Sequence, residues 1–381
     1  MKILFLDQSG KLGGAEISLL DIAQFYRNSC LVSLFDDGSF KEALEKNQIP
    51  VRVLSTTSIQ VRKDSSLFQS LSSVVQLIPL INQVVRLSKN YDLIYANTQK
   101  ALVVGAISSR FANRPLVYHL RDILSLEHFS QTNRRLAVSL ANNFASLVIA
   151  NSQATKTAFI EAGGKEHLAK VVYNGFKLEK YQSSVDCTTA IKQQYNLDGK
   201  FVVGHFSRLS PWKGQHILLE ALTHSPAEVV AIFVGDALFG EEEYVQKLHQ
   251  QVASLGLENR VRFLGFRSDI PQLMSACDLV AHTSTAPEPF GRVIIEAMLC
   301  QKPAVAAAAG GTVELIKHEQ TGWLTTPGDV SKLAAVINQC CDRPEQAAQI
   351  ALAGKTQASE NFELSAIQHQ IDELLNQILL T

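Results

Sequence analysis

Two glutamates, Glu288 and Glu296, stand eight residues apart in the stretch TSTAPEPFGRVIIEAMLCQKPAVAAAAGG. Pro289 fits the first turn of a helix, where Phe290, Gly291 and Arg292 would offer free backbone amides. An anion or a polar hydroxyl group docked there gains from the helix dipole. Eight helical residues rise ~12 Å with an angular offset of only ~80°, so the two acids would touch opposite ends of one elongated ligand. A glycoside-cleaving pair must flank a single bond at shorter range, which argues against hydrolysis. Glu296 lies in the apolar run Val293, Ile294, Ile295, Ala297 and Met298, unlike a carboxylate on a solvated face.

A second constellation is SRLSPWKGQHILLEAL, in which Arg208 and Lys213 flank a loop leading to a helix near Gly214. A fork and a point charge at the carboxyl end of a strand suit a diphosphate, while Trp212 packs against the loop. A third is SGKLGGAEISLL, where Gly10, Gly13 and Gly14 make a flexible loop before a helix beginning near Ala15. Glycines let backbone approach a ligand and the helix N-terminus favours phosphate; a plain tight turn is the structural alternative. Asp36 and Asp37 end the second strand where the ribose-binding acid of a dinucleotide site belongs, but the glycines are spaced G-x-x-G-G, not G-x-G-x-x-G. FVGD gives Gly235 and Asp236 a turn with ligand access. FLGFRSD puts Gly265, Phe266 and Arg267 at a strand end where a flat base would stack or meet backbone groups. PLVYHLRD sets His119, Arg121 and Asp122 just after a strand. His119 is a general base or a structural, hydrogen-bonded histidine, and strand alternation points it the same way as Arg121.

Strands must end beside these residues. Short apolar runs alternate with longer segments of helical period throughout the chain. Lys2–Leu6, Leu31–Phe35, Val51–Leu54, Leu93–Tyr95, Pro115–Tyr118, Leu147–Ala150 and Val171–Tyr173 read as strands. After the polar stretch Phe176–Lys200 come Phe201–His205, Val229–Val234, Val261–Leu264, Leu279–Ala281 and Pro303–Ala306. Such alternation means parallel sheets with helices on both faces: an α/β chain of two doubly wound, Rossmann-like domains joined near residue 180. Ligands in such sheets sit outside the carboxyl ends of the strands, and the cleft between two such domains is the default site. Glu363–Leu380 reads as an amphipathic helix through Leu364, Ile367, Ile371, Leu374, Leu375 and Ile378.

With 381 residues, 46% hydrophobic and 19% charged, the chain is neither disordered nor fibrous and exceeds one typical domain. Cys30, Cys187, Cys277, Cys300, Cys340 and Cys341 form no CxxC and no zinc spacing, which points to a reducing compartment. MKILFLDQSG is no signal peptide, and Leu71–Leu87, interrupted by Gln76, Pro79, Asn82 and Gln83, is too short and polar to span a bilayer. The 35 Lys+Arg and 36 Asp+Glu are split unevenly: 19 against 13 in residues 1–175, 16 against 23 in the remainder. A basic first half points to an anionic lipid surface or anionic acceptor as partner; nucleic acid is not expected, since no basic cluster is interleaved with aromatics.

Taken in order, GGAE, SRLSPWKG, FVGD, FLGFRSD and EPFGRVIIEAM resemble the retaining glycosyltransferases of family 4, the last being that family's E-x7-E element. The likeness covers nearly the whole chain. It implies a GT-B fold, with residues 1–176 plus the C-terminal helix 363–381 as acceptor-side domain and 177–362 binding the nucleotide-sugar donor. It implies that Glu296 holds ribose hydroxyls, Glu288 the donor sugar, and Phe290, Gly291 and Val293 backbone contacts along sugar and diphosphate. Arg208 and Lys213 would neutralise the departing diphosphate, Gly13 and Gly14 would approach from the opposite domain, Gly235 would belong to the donor site, and the base would lie near Phe266 and Arg267. Many relatives have a histidine where Arg121 stands, so His119 and Arg121 both remain candidates for that catalytic position. The implied reaction moves a hexose, glucose first, from a UDP-sugar to a glycan or lipid-linked acceptor in polysaccharide assembly. No cofactor or metal is expected, because helix ends and cations take the metal's place. The expected setting is cytoplasmic, with peripheral contact at the inner membrane face. A dinucleotide-dependent oxidoreductase and a non-catalytic nucleotide-sugar-binding module are the rival readings.

Overall fold

The computed structural model describes residues 1–54, 67–127, 129–182, 185–237 and 240–380. They form two compact units, Met1–Gly175 with Leu364–Thr381, and Phe176–Glu363. The first holds β1 (Ile3–Asp7), β2 (Cys30–Leu34), β3 (Val51–Val53), β4 (Leu93–Ala96), β5 (Leu116–Leu120), β6 (Ala145–Ala150) and β7 (Ala169–Val171). They pair in parallel in the order β3-β2-β1-β4-β5-β6-β7, so the order reverses between β1 and β4. The second holds β8 (Phe201–Phe206), β9 (Val229–Val234), β10 (Val261–Phe263), β11 (Leu279–His282), β12 (Ala304–Ala307) and β13 (Trp323–Thr325), parallel in the order β10-β9-β8-β11-β12-β13. Here the reversal falls between β8 and β11.

Why the sheets are covered on both faces is visible in β1, all five residues of which are buried. Successive side chains point to opposite faces. Ile3 and Phe5 accordingly join one core with Leu19, Phe40 and Tyr95, while Leu4 and Leu6 join another with Leu102, Val104 and Tyr118. The helix Leu364–Leu380 belongs to the first unit: Ile367, Ile371 and Leu375, four residues apart, complete the Ile3–Phe5 core. Gln368 donates to the Asp21 carbonyl at 2.6 Å, and Tyr26 Oη to Asp372 at 2.9 Å. In the second unit Val203, Leu218, Phe233 and Trp323 share a single core. Both tryptophans of the chain, Trp212 and Trp323, lie in this unit. Among the described residues no helix is long and apolar enough to cross a membrane.

Three expectations need correction. The second sheet has a sixth strand, Trp323–Thr325, too short to show period two in the sequence. Strand ends also shift: β5 runs to Leu120 because His119 is buried against Tyr95, and β11 includes His282. Gly10 is no flexible ligand-approach residue. It packs backbone against backbone, and a Cβ there would lie 2.1 Å from the Asp37 carbonyl oxygen. Gly10 also accepts from Phe40 N–H at 2.8 Å, which ties the β1 and β2 loops together. Gly10→Ala should therefore destabilise the first unit by about 1–3 kcal/mol. Amide hydrogen exchange should speed up along β1 and β2 while tryptophan fluorescence, confined to the second unit, reports an unchanged midpoint.

Candidate functional site

In the second unit β8 and β11 end side by side at the switch point, where open parallel sheets collect ligands. The loop after β8 makes a short 3-10 turn, Pro211–Lys213, that closes on Gly214 at φ 70°. Only glycine fits there, since a Cβ would lie 2.0 Å from the Thr283 carbonyl oxygen. This contact delivers the Lys213 ammonium to the Glu288 carboxylate, Nζ to Oε2 at 2.6 Å, with side-chain exposures of only 15% and 13%. Lys213 Nζ also sits 4.0 Å from the centre of the Trp212 ring, and the Arg208 guanidinium lies 5.7 Å from the same ring.

Glu288 is gripped from more sides than the sequence indicated. His282 Nε2 lies 3.1 Å and Ser284 Oγ 3.2 Å from the same Oε2. Thr283, between them, points the other way and donates to the Lys213 and Gly214 carbonyls at 3.0 and 2.8 Å, with His205 Nε2 2.9 Å from its hydroxyl. Period two at the end of β11 thus makes one tripeptide hold both the carboxylate and the lysine loop. Burial alone would raise the Glu288 carboxyl. It is outweighed by the Lys213 charge and the hydrogen bonds from His282 and Lys213, which hold it well below the usual carboxylate range. Burial, reinforced by His282 and Lys213, pushes His205 down to about 3.

Pro289 does not start the following helix. Arg292–Leu299 is capped by Gly291 at φ 98°, and Glu288 lies ahead of it in an extended stretch bridged to Gly310. The two glutamates therefore do not share one helix, because the Glu288 main chain is engaged by Ala309 and Gly311 at 3.2 and 2.7 Å. The first turn leaves amides, Val293 N–H among them, without an intrahelical acceptor. Phe290 is buried, stacked 6.4 Å from Phe176. Arg292 pairs with Glu296 at 3.6 Å and lies 4.5 Å from the Phe176 ring centre. Phe266 is 68% exposed, a flat ring open to stacking. Arg267 is instead held by Asp269 through two hydrogen bonds of 2.9 and 2.8 Å. Gly235 donates to the Gly265 carbonyl at 2.8 Å and packs against the Ser207 backbone, a close contact at φ 137° that a side chain would not fit.

In the first unit the reversal between β1 and β4 gathers a polar network. Arg121, just after β5, donates through Nε to Asn97 at 3.0 Å and through Nη1 to Ser18 at 2.8 Å and Asn174 at 2.7 Å. Asn97 donates to Asp7 at 2.7 Å. Arg121 is thus a buried strut joining the ends of β1, β4 and β7 to the helix Gly14–Phe25. His119 is 1% exposed and bonded through Nδ1 to the Tyr95 hydroxyl. Burial, then the Arg121 charge, pushes it well below the usual imidazole value, so the structural alternative describes it and the general-base one does not. Gly13 caps the helix Gly14–Phe25, its N–H donating to Glu16 at 3.0 Å, while Gly14 is exposed. Burial pushes Asp7 up to about 6; burial and the Asp7 charge push Glu16 up to about 7. No group of three or more His, Cys, Asp or Glu side chains among the described residues is placed to hold a metal ion.

Two doubly wound parallel-sheet units of seven and six strands are the GT-B architecture. Residues 12–180 match the model of Glycosyltransferase Family 4 and residues 188–357 that of Glycosyl transferases group 1. The chain belongs to glycosyltransferase family 4. It is 60% identical to HepE of Anabaena, solved in complex with UDP-glucose, over 99% of this chain and 100% of that one, with a TM-score of 0.93. It is 25% identical to the human alpha-1,3/1,6-mannosyltransferase ALG2 over 99% of this chain and 96% of that protein. It is 27% identical to the GDP-mannose-dependent alpha-(1-6)-phosphatidylinositol monomannoside mannosyltransferase of Mycolicibacterium smegmatis over 64% of this chain, spanning 65% of that protein, a little under two thirds.

Sequence reasoning passed over His282, Thr283 and Ser284, and over Asp7, Ser18, Asn97 and Asn174. For the first three a signal exists, a polar triplet closing the apolar strand Leu279–Ala281. The others meet only through strand order.

Two outcomes follow. Lys213→Met would leave the buried Glu288 charge unpaired and should cost about 3–5 kcal/mol of second-unit stability, read by tryptophan fluorescence. In the wild type, Glu288 has a lowered folded pKa, so its contribution is complete above the ordinary carboxylate value of 4.5 and is lost only as pH falls through the lower folded value. Asp7 and Glu16 act with the opposite sign. Their raised folded values mean the native state holds more protons, so first-unit stability declines as pH rises from about 4 to about 7. Hydrogen exchange along β1 should show that decline, and Glu16→Gln should make it shallower.

Proposed function

We propose that this chain transfers glucose from UDP-glucose to a hydroxyl of a glycan or lipid-linked acceptor, with retention at the anomeric carbon and without a metal ion. The arrangement that carries the reading is the Lys213–Glu288 pair at 2.6 Å, set at the switch point beside Arg208 and the N-terminus of the Arg292–Leu299 helix. The choice of UDP-glucose is supported by the 60% identity to HepE, of which a complex with UDP and glucose is also known.

In this reading Arg208 and Lys213 face the diphosphate, where charge grows as the bond to the anomeric carbon breaks. The Arg292–Leu299 helix adds first-turn amides and its dipole to the same phosphates. Glu296, held by Arg292, accepts from the ribose hydroxyls, and the exposed Phe266 ring stacks on the uracil. Glu288 accepts from a sugar hydroxyl. The acceptor oxygen attacks on the face the diphosphate leaves, and its proton passes to the departing phosphate, so both bond changes balance without a protein base. The first unit takes the acceptor. Neither His119 nor Arg121 is given a proton-transfer role, because one is buried in the sheet and the other is the strut of a hydrogen-bond network.

Calorimetric titration with UDP, with GDP and with NADH, in the presence of a chelator and then with magnesium, tests the reading. Binding of UDP without metal, followed by transfer from UDP-glucose with the anomeric configuration kept by NMR, is the expected result. NADH binding with no response to UDP would sink it. Glu296→Ala should weaken UDP binding roughly 10- to 100-fold, as loss of hydrogen bonds to a charged group does. Glu288→Gln should lower kcat roughly 100-fold with little change in UDP affinity.

A further inference from the structure

We propose that His282 is the positioning residue that aims Glu288: its Nε2 completes the saturation of Oε2 and turns Oε1 toward the donor sugar. The inference deepens the function proposed above and rests on Glu288 accepting a sugar hydroxyl. Its ground is an asymmetry in the carboxylate. Lys213 Nζ at 2.6 Å, His282 Nε2 at 3.1 Å and Ser284 Oγ at 3.2 Å all converge on Oε2. Among the described residues none of these hydrogen bonds goes to Oε1. Each carboxylate oxygen has about two lone-pair sites, so three donors leave Oε2 nothing to offer a substrate, and the free acceptor is Oε1.

Lys213 cannot set this orientation alone. Its ammonium is a point charge on a flexible stem, which fixes where one oxygen sits but not the plane of the carboxylate. A second donor with a fixed direction is needed, and His282 is built as one. It is the last residue of β11 and only 6% exposed. An ionised carboxylate only accepts, so Nε2 carries the hydrogen. Ser284 Oγ lies 3.1 Å from His282 Nε2 as well as near Oε2, and the three groups close a triangle. Since the Glu288 main chain is already tied to Ala309 and Gly311, the imidazole removes the remaining freedom about the side-chain torsions.

The test compares His282→Leu, which removes the donor, His282→Asn, whose amide is too short to reach, and His282→Gln, whose amide nitrogen can take the place of Nε2. The readouts are UDP affinity and steady-state transfer from UDP-glucose. His282→Leu and His282→Asn should lower kcat about tenfold or more with UDP affinity within twofold of wild type, and His282→Gln should recover most of the loss. In a Glu288→Gln background, where the aimed carboxylate is gone, His282→Asn should cause no further loss. A kcat within twofold of wild type in His282→Asn would overturn the proposal. So would an undiminished loss in the Glu288→Gln background, or a loss that tracks UDP affinity. These results require a wild type that binds UDP and transfers glucose; failure of that first step overturns the proposed function itself.

Discussion

A carboxylate that water barely reaches has to be answered by donors, and Glu288 is the group around which the second unit's switch point is arranged. Desolvation works against its charge; Lys213 and His282 more than reverse that effect. The lysine arrives only because Gly214 brings the loop after β8 hard against the Thr283 carbonyl. His282 arrives only because β11 runs one residue past its apolar core. The bridge to Gly310 then holds the glutamate's own main chain in place. Removing any one of these leaves the others holding an unmatched polar group, so the loop, the strand end and the extended stretch are one cooperative object.

The first unit meets the same problem with the opposite charge. Arg121 is buried among the neutral oxygens of Asn97, Ser18 and Asn174, with Asp7 one residue further along the chain of bonds. A guanidinium whose Nε and Nη1 are tied to two amides and a hydroxyl is a structural joint. In the second unit the directional donors all fall on one oxygen and leave another free. The two switch points share a topology but differ in how the buried charge is held, by amides and a hydroxyl in one and by donors that converge on a single carboxylate oxygen in the other.

Much of the fold was legible because fully buried parallel strands are short apolar runs, and β1, β8 and β9 are of that kind. Arg208, Lys213 and Glu288 stand out in the sequence as charges beside a strand's carboxyl end, and Glu296 as a carboxylate in an apolar run. Three features were not legible. Trp323–Thr325 is only three residues long, and its tryptophan looks like any core aromatic. Gly10 gave a loop signal, yet its reason is contact with Asp37, which no local pattern encodes. His119 carried the signature of a base, and only Tyr95 on the neighbouring strand reveals a core histidine.

Net charge misleads in a related way. Residues 176–381 carry 16 Lys+Arg against 23 Asp+Glu, yet the cations Arg208 and Lys213 face one indole at this half's switch point. Screening confines exposed charges to a range of about 8–10 Å at physiological salt, so acids scattered over outer helices say little about a site. At the site itself, geometry decides. Glu288 meets the Lys213 ammonium at 2.6 Å through a single oxygen, and the Lys213 ammonium lies 4.0 Å from the centre of the Trp212 ring. The local sign at a strand end of an acidic domain therefore follows from how its few buried charges are paired and not from the domain's total.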